Sequence, residues 1–126
     1  MANYYEIDKE RRLITSTASG VITLPEIWAH QEKLDKDPDF DPSFAQLLDV
    51  TQVTKLKLSS EDVRRVAESN TLSTNPRLAI VATSNLVYGM ARMFQIFREM
   101  KGEEKTRVFR DRDEALAWVL GKDDAD

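Results

Sequence analysis

Hydrophobic and polar residues follow two different periods along this chain, and the changes of period predict its elements. Residues 77–83 form a short apolar run, which is typical of a strand buried on both faces. The next segment, 84–100, can be capped by Ser84 or Asn85 and repeats apolar residues with helical spacing: Leu86, Met90, Met93, Phe94 and Phe97. We expect this strand–helix unit to lie in the middle of a sheet that has helices on both faces.

Two alternating segments open the chain. Residues 4–8 and 13–22 predict strands joined by a polar turn. One face of the second strand carries small or apolar residues: Ile14, Ser16, Ala18, Gly20 and Ile22. Their size indicates close approach by a neighbouring backbone or helix. Thr23 predicts the cap of a first helix, which begins near Pro25 and ends before Pro38.

The remaining elements continue as strand–helix pairs. Residues 44–50 predict a strand, 51–58 a loop and 60–69 a helix. Residues 106–109 predict the last strand, and Asp111 caps the final helix. The order ββαβαβαβα predicts an α/β domain with a mixed, mostly parallel five-stranded sheet and about four helices. The opening hairpin makes one outer strand antiparallel.

Composition narrows the classes of protein to consider. The 126 residues predict one domain at 1–121, followed by a disordered acidic tail at 122–126. There is no apolar run of membrane-spanning length, and the first residues lack a secretion signal. The absence of cysteine excludes disulfides and thiolate metal sites, which suits a cytoplasmic protein. The net charge of -4 argues against binding to nucleic acid or to an anionic membrane.

Four segments have a familiar order and spacing: 47–49, 77–81, 88–94 and 108–118. They resemble the bacterial SpoIIAA-like family. Its STAS-like fold also occurs in sporulation anti-sigma-factor antagonists and is related to Sec14-type lipid-binding proteins. The resemblance implies a non-enzymatic protein-binding or regulatory module. The alternative that it implies is a carrier of a small apolar or lipid-like ligand.

Phosphorylated antagonists of this fold carry an Asp-Ser-Ser-Gly-type motif where the chain enters the second helix. Here the place reads Lys-Leu-Ser-Ser-Glu-Asp, so Ser59 and Ser60 remain while the acid before them and the glycine are missing. A phosphate on either serine would face a helix N-terminus, which favours an anion. Glu61 and Asp62 would repel it, and serine is a good cap without modification. A structural cap is therefore the preferred interpretation, and a phospho-switch is the alternative.

A metal site and a catalytic histidine both find little support. Four alternating acids mimic the start of a calcium loop: Asp35, Asp37, Asp39 and Asp41. An EF-hand needs glycine at its sixth position and glutamate at its twelfth, where this chain has Phe40 and Gln46. His30, the only histidine, lies in the first helix without a recognisable partner motif. We expect a solvated turn, a structural histidine, no metal and no cofactor.

A polar cluster is predicted where the central strands end, at Asp49, Thr51, Thr83 and Ser84. Parallel sheets usually bind ligands at this edge. No base, nucleophile or glycine-rich phosphate loop completes a catalytic site there. The cluster is therefore interpreted mainly as turn and cap chemistry, and we do not expect an enzyme.

The third helix is the strongest lead to a binding surface. Its apolar residues are too many for one narrow stripe: Leu86, Val87, Tyr88, Met90, Met93, Phe94, Ile96, Phe97 and Met100. Core packing accounts for Leu86, Met90 and Phe97. For Tyr88, Ile96 and Met100, burial and a self-association surface are equally supported.

Two functional hypotheses follow from this excess. The leading one is a homodimer that acts through protein contacts near the second and third helices. The rival is a carrier of a small apolar ligand, which predicts a cavity lined by residues such as Trp28, Met90, Phe94 and Phe97.

Overall fold

The computed structural model describes residues 3–69, 77–102 and 105–121. Within these ranges the strands are β1 (Asn3–Asp8), β2 (Leu13–Thr23), β3 (Ala45–Lys57), β4 (Leu78–Val81) and β5 (Thr106–Phe109). The helices are α1 (Leu24–Asp35), α2 (Ser60–Ala67), α3 (Asn85–Met100) and α4 (Arg112–Val119). The predicted order ββαβαβαβα is confirmed. The predicted acidic tail at 122–126 lies outside the described residues.

The strands form one five-stranded sheet in the order β1-β2-β3-β4-β5. β1 is antiparallel to β2 and the other pairs are parallel, as the sequence predicts. All four residues of β4 are buried, which confirms a strand covered on both faces. Its predicted place in the middle is wrong, because β3 is the central strand and β4 lies between β3 and β5.

Polar side chains at the helix starts explain where three helices begin. The Thr23 amide donates to Glu26 Oε1 at 3.0 Å ahead of α1. Ser84 Oγ accepts from the Val87 amide at 3.2 Å, and Asp111 Oδ1 accepts from the Asp113 amide at 2.7 Å. These bonds satisfy amides that have no partner inside the helix. The predicted caps at Thr23, Ser84 and Asp111 are confirmed.

The predicted loop at 51–58 is wrong. β3 continues to Lys57 and pairs with β2 as far as Thr23. The register shifts after Thr17 and again after Gly20, which has a φ of 72° in the left-handed region that glycine tolerates. Pairing between β3 and β4 ends at Asp49, so polar residues beyond that point remain exposed on the outer edge of the strand. Because these residues are polar, the sequence of this part of the strand resembles that of a loop.

Helices cover both faces of the sheet, as predicted. α4 packs on one face, above a core in which Leu13, Leu47 and Val81 are almost fully buried. α1, α2 and α3 lie over the other face, where the apolar residues form three smaller clusters. Several side chains there, including Leu48 and Val50, are only half-buried.

The buried face of α3 differs from the predicted one. Val87, Ala91 and Arg98 are buried, whereas Leu86 is 68% exposed, so its assignment to the core is wrong. Two apolar stripes run along this helix, and hydrophobicity alone does not decide which of them faces the sheet. Buried Arg98 donates from Nε to Thr106 Oγ1 at 3.0 Å, which links α3 to β5.

Candidate functional site

A cavity of about 190 Å³ lies between the sheet and the three helices α1, α2 and α3. Its floor includes Ser16 and Ala18 of β2 together with Leu48, Val50 and Ile80 of the next two strands. The sequence predicted that the small side chains of Ser16 and Ala18 allow a close approach by a neighbouring backbone or helix. In the structure both side chains line the cavity instead. They leave the space above β2 open.

The wall beneath α2 and α3 is apolar. α2 contributes Val63 and Val66, and α3 contributes Val87, Met90 and Phe94. Such walls favour apolar guests, because they offer dispersion contacts and no hydrogen bonds.

The four residues predicted to line a cavity divide evenly. Met90 and Phe94 line it, whereas Trp28 and Phe97 are half-buried outside it. On α1, the side chains that reach the cavity include Ile27 and His30, so the adjacent Trp28 points elsewhere.

The wall beneath α1 is mixed, with His30 and Gln31 beside Ile27 and Leu34, and it contains a contact that the sequence did not predict. Ser16 Oγ and His30 Nε2 lie 3.1 Å apart. The Tyr5 ring packs edge-on against the His30 ring, with centroids 5.6 Å apart, and its hydroxyl donates to Asp37 Oδ2 at 2.7 Å. The sequence showed no partner motif for His30, because Ser16 lies fourteen residues earlier and meets it only in the fold. The inward parity of Ser16 on β2 and the helical position of His30 are the signals that together predict the pair.

The electrostatics of this wall favour a neutral imidazole. Burial lowers the pKa of His30, and the nearby charge of Lys33 lowers it further. The hydrogen bond to Asp37, together with burial, raises the pKa of Tyr5 to about 12. His30 and Tyr5 are therefore both uncharged at pH 7.

A serine–histidine pair can act as nucleophile and base when a third group orients the histidine. Among residues 3–69, 77–102 and 105–121, no carboxylate hydrogen-bonds to His30. In this arrangement Ser16 and His30 offer hydrogen bonds to a guest, while the catalytic set of a hydrolase is not assembled in the described part of the chain.

A second apolar feature lies on the outer side of α3. Leu86, Ile96 and Met100 are 68%, 48% and 77% exposed, and Met93 is half-buried. With the exposed Gly89 they follow a 3-4-3-4 spacing, and we call Leu86, Gly89, Met93, Ile96 and Met100 the α3 stripe. Ile96 and Met100 are therefore not buried within one chain, and self-association through them stays a prediction.

Tyr88 lies on another side of α3. It is half-buried, and the Arg110 guanidinium lies 4.1 Å from the centre of its ring. Tyr88 also packs against buried residues between α3 and the sheet. It is therefore part of the intramolecular packing and not of the α3 stripe.

Comparisons with known proteins identify the fold. No family model matches the sequence, and no curated protein matches it. The structure is similar to the crystal structure of an uncharacterised DUF3478 family protein from Shewanella loihica PV-4, which has a SpoIIAA-like fold. The TM-score is 0.63 and the identity 18%, over 94% of each chain. The fold is SpoIIAA-like. The predicted resemblance is confirmed at the level of the fold, and it carries no activity with it.

In this SpoIIAA-like fold, Ser59 caps α2. Its Oγ accepts from the Asp62 amide at 3.1 Å, and its own amide donates to Asp62 Oδ2 at 3.0 Å, which completes a capping box. Ser60 is the exposed first residue of the helix. The geometry supports the structural interpretation of Ser59, and phosphorylation of either serine stays a prediction.

Three of the four alternating acids have a structural partner: Asp37, Asp39 and Asp41. Asp37 accepts from Tyr5 and from the Asp39 amide, and Asp39 pairs with Lys9 at 2.9 Å. Asp41 Oδ1 accepts from the Ser43 hydroxyl at 2.7 Å. The described residues contain no group of three or more metal-ligating side chains. None of the described helices combines the length and the apolar character needed to cross a bilayer.

The predicted polar cluster is spread over separate contacts. Asp49 lies within β3, not at its end, and accepts from Thr51 Oγ1 at 2.7 Å and from the Arg112 guanidinium on the α4 face. Burial raises the pKa of Asp49, but the bonds from Thr51 and Arg112 outweigh it and hold the pKa below its usual value. The Thr83 carbonyl accepts from Arg110 at 3.0 Å, and Ser84 caps α3. These residues stabilise helix starts and turns in this structure.

Proposed function

We propose that this chain is a non-enzymatic binding module that holds a small apolar molecule between its sheet and helices α1, α2 and α3. The observation that carries the proposal is the cavity of about 190 Å³ with an apolar wall beneath α2 and α3. An apolar cavity of about 150 Å³ is enough to bind benzene. By that scale the present cavity suits a guest of about six to eight non-hydrogen atoms.

Incomplete burial around the cavity supports this proposal. Leu48, Val50, Met90 and Phe94 are only half-buried, although each lines the cavity. A guest would cover their remaining apolar surface, which contributes about 25 cal/mol per Å². Since the guest binds only the folded chain, it also stabilises the fold, by about 2.7 kcal/mol at one hundred times its dissociation constant.

Toluene is a suitable first probe, because it is apolar and close to the expected size. We expect saturating toluene to raise the unfolding temperature of the protein in a calorimetric scan. Ala18→Leu places three further carbons in the cavity and should abolish this rise. Ala29→Leu, on the exposed side of α1, is the matched control and should keep it. A rise that is the same in Ala18→Leu and Ala29→Leu would contradict binding in the cavity.

A second candidate function, self-association, is favoured by the exposure of the α3 stripe. Its 3-4-3-4 spacing is that of the a and d positions of a coiled coil. Antiparallel pairing of two copies about a two-fold axis would set Met100 of one over Gly89 of the other, with Met93 beside Ile96. The same pairing brings Arg92 near Glu99 of the second copy, and both side chains are exposed.

Sedimentation at tens of micromolar tests this homodimer. Ile96→Glu places a charge in the stripe and should shift the protein to monomer, whereas Gln95→Glu, one residue outside it, should not. Gly89→Ala gives a second test, since a Cβ at Gly89 meets nothing within 4 Å in one copy. Alanine should stabilise an isolated helix by about 0.5–1 kcal/mol but weaken a pair that uses the glycine gap. Monomer alone in the unaltered protein would contradict this second function.

A further inference from the structure

Gln46 of β3 is a polar residue in the apolar floor of the cavity. It is only 9% exposed, and it lines the cavity. Its neighbour Leu47 packs beneath α4, so the alternation of the strand turns the Gln46 side chain to the opposite face, toward the cavity. The residues that pair with it on the adjacent strands, Ile14 and Leu78, are buried and apolar. The carboxamide is therefore surrounded mainly by hydrocarbon.

The side-chain amide of Gln46 has no hydrogen-bond partner among residues 3–69, 77–102 and 105–121. Its backbone nitrogen, by contrast, donates to the Arg77 carbonyl at 2.9 Å. A buried amide without a partner costs free energy, and most buried polar side chains in proteins have one. The described part of the fold therefore keeps a polar group in its sheet without bonding it.

Both polar atoms of this amide are accessible from the cavity. Within the described residues, Asn3 Oδ1 is the one buried side-chain oxygen or nitrogen that is both fully enclosed and unbonded. Oε1 and Nε2 of Gln46 are unbonded too, so each keeps some accessible surface. The other inward-facing polar side chains already have partners: Ser16 bonds to His30, and Gln31 is also engaged. A guest would thus meet Gln46 as the polar group with free hydrogen-bonding capacity.

The chemistry of a primary amide defines the head group that fits it. The amide presents an acceptor, Oε1, beside a donor, Nε2. Turning it over exchanges the two atoms but still leaves one donor beside one acceptor. Its complement is a second amide whose N–H and C=O lie on the same side, as the ring of a lactam requires. Among the described residues no lysine or arginine lines the cavity, so no cation there favours an anionic head group.

We propose that Gln46 is a recognition site for a small neutral amide, cyclic or primary, which pairs with the Gln46 carboxamide through two hydrogen bonds. The hydrocarbon of this guest lies against the apolar wall of α2 and α3, which includes Val66 and Phe94. The inference rests on the proposed function, because it presumes a guest in the cavity. It deepens that function by naming the head group and the residue that binds it.

Two isomers isolate the donor of the guest. δ-Valerolactam and N-methylpyrrolidone have the same atomic composition, but only δ-valerolactam has an N–H. Toluene serves as the apolar reference. Binding is followed through the methyl signals of ¹³C-labelled methionines, because Met90 lines the cavity while Met93 and Met100 belong to the α3 stripe and are internal controls. We expect δ-valerolactam to shift the Met90 signal and to bind about tenfold more tightly than N-methylpyrrolidone.

One substitution locates the selectivity. Gln46→Met removes the amide and keeps the length of the side chain, so it should weaken δ-valerolactam about tenfold and make the two isomers equal. Gln52→Met, at an exposed position of the same strand, is the matched control and should keep the difference between the isomers. Toluene should bind all three proteins equally, which reports that the cavity itself is intact.

The possible results distinguish the two proposals. If none of the probes shifts Met90, the proposed function fails and the inference fails with it. If toluene shifts Met90 but the isomers bind equally to the unaltered protein, the function stands and the inference is overturned, whether or not Gln46→Met folds. A preference for δ-valerolactam that survives in Gln46→Met would also overturn the inference, because the preference would then arise elsewhere.

Discussion

The two faces of the sheet are packed differently, although they share the same strands. In β3, Leu47 points to α4 and is 1% exposed, whereas its neighbour Leu48 points to the other helices and is half-buried beside the cavity. Ala79 and Ala115 let α4 lie close to the sheet, and both are fully buried. On the other face the small residues leave space. The face beneath α4 is therefore filled around Leu47, whereas the other face keeps room for a guest beside Leu48.

The largest effect should come from a pair of leucine truncations in β3. Leu47→Ala should reduce the free energy of unfolding by about 3 kcal/mol, because it opens a new cavity in a filled core. Leu48→Ala should cost only about 1 kcal/mol, since its side chain already borders open space and buries less area. Urea unfolding of both variants measures the difference. Equal costs would mean that the two faces are packed alike.

Enlarging an alanine on each face gives the converse test. Ala79→Leu should destabilise the fold by about 2 kcal/mol, because the space beneath α4 is full. Ala18→Leu should change stability by no more than about 0.5 kcal/mol, because it fills existing space. The same urea experiment applies. A large loss in Ala18→Leu would show that the cavity is closed in solution.

Helix caps should cost the same on both faces, since a cap is a local interaction. Ser59→Ala, at the start of α2, and Asp111→Ala, at the start of α4, should each lose about 1 kcal/mol. Ser60→Ala, just inside α2, should change little. Thermal unfolding checks the stabilities, and toluene binding is measured in parallel. If Ser59→Ala alters binding without altering stability, Ser59 acts as more than a cap.

The smallest effect is a difference in acid sensitivity between the faces. The pKa of His30, on the cavity face, is lowered by burial, so the folded chain favours the neutral ring. Its stabilisation is present above the ordinary histidine pKa of about 6.5 and is lost as the pH falls through the lowered value. Asp49, on the α4 face, also has a lowered pKa. Its contribution is present above about pH 3.9 and is lost only below that.

Urea midpoints measured between pH 8 and pH 3 should therefore fall in two steps. His30→Gln should remove the step that begins near pH 6.5. Asp49→Asn should only reduce the later one, because Asp8, Asp37, Asp41 and Glu61 also have lowered pKa values and contribute to it. If His30→Gln leaves the first step in place, another group is responsible for it.

Much of the fold follows from local sequence, whereas the site depends on how elements are combined. Thr23, Ser84 and Asp111 were predicted as caps because a cap involves only neighbouring residues. The contact between Ser16 and His30 joins a strand to a helix, so neither segment reveals it alone. Burial of Arg98 was missed because arginine is usually exposed, and its bonds to Thr106 and to the Ala67 carbonyl form only when three elements meet.

The length of β3 was missed for a related reason. Beyond Asp49, β3 is paired along one edge and is open along the other. Such a strand has the polar residues of a surface segment, so its sequence resembles a loop. The rotation of α3 was also ambiguous, because its two apolar stripes are both rich in large residues. The cavity is lined partly by the β3 extension and by the inward side of α3. Since neither was predicted correctly, only Met90 and Phe94 of its lining were predicted.

The long extension of β3 also has a consequence for solubility. Beyond Asp49, no strand in the described ranges pairs with its outer edge, which leaves a template for strand addition by another chain. Thr54, Lys55 and Lys57 are exposed along this extension. The two ammonium groups oppose the stacking of one such edge on another, because like charges would be brought together. We therefore expect these lysines to oppose aggregation through this edge, while Leu56 on the same extension lines the cavity.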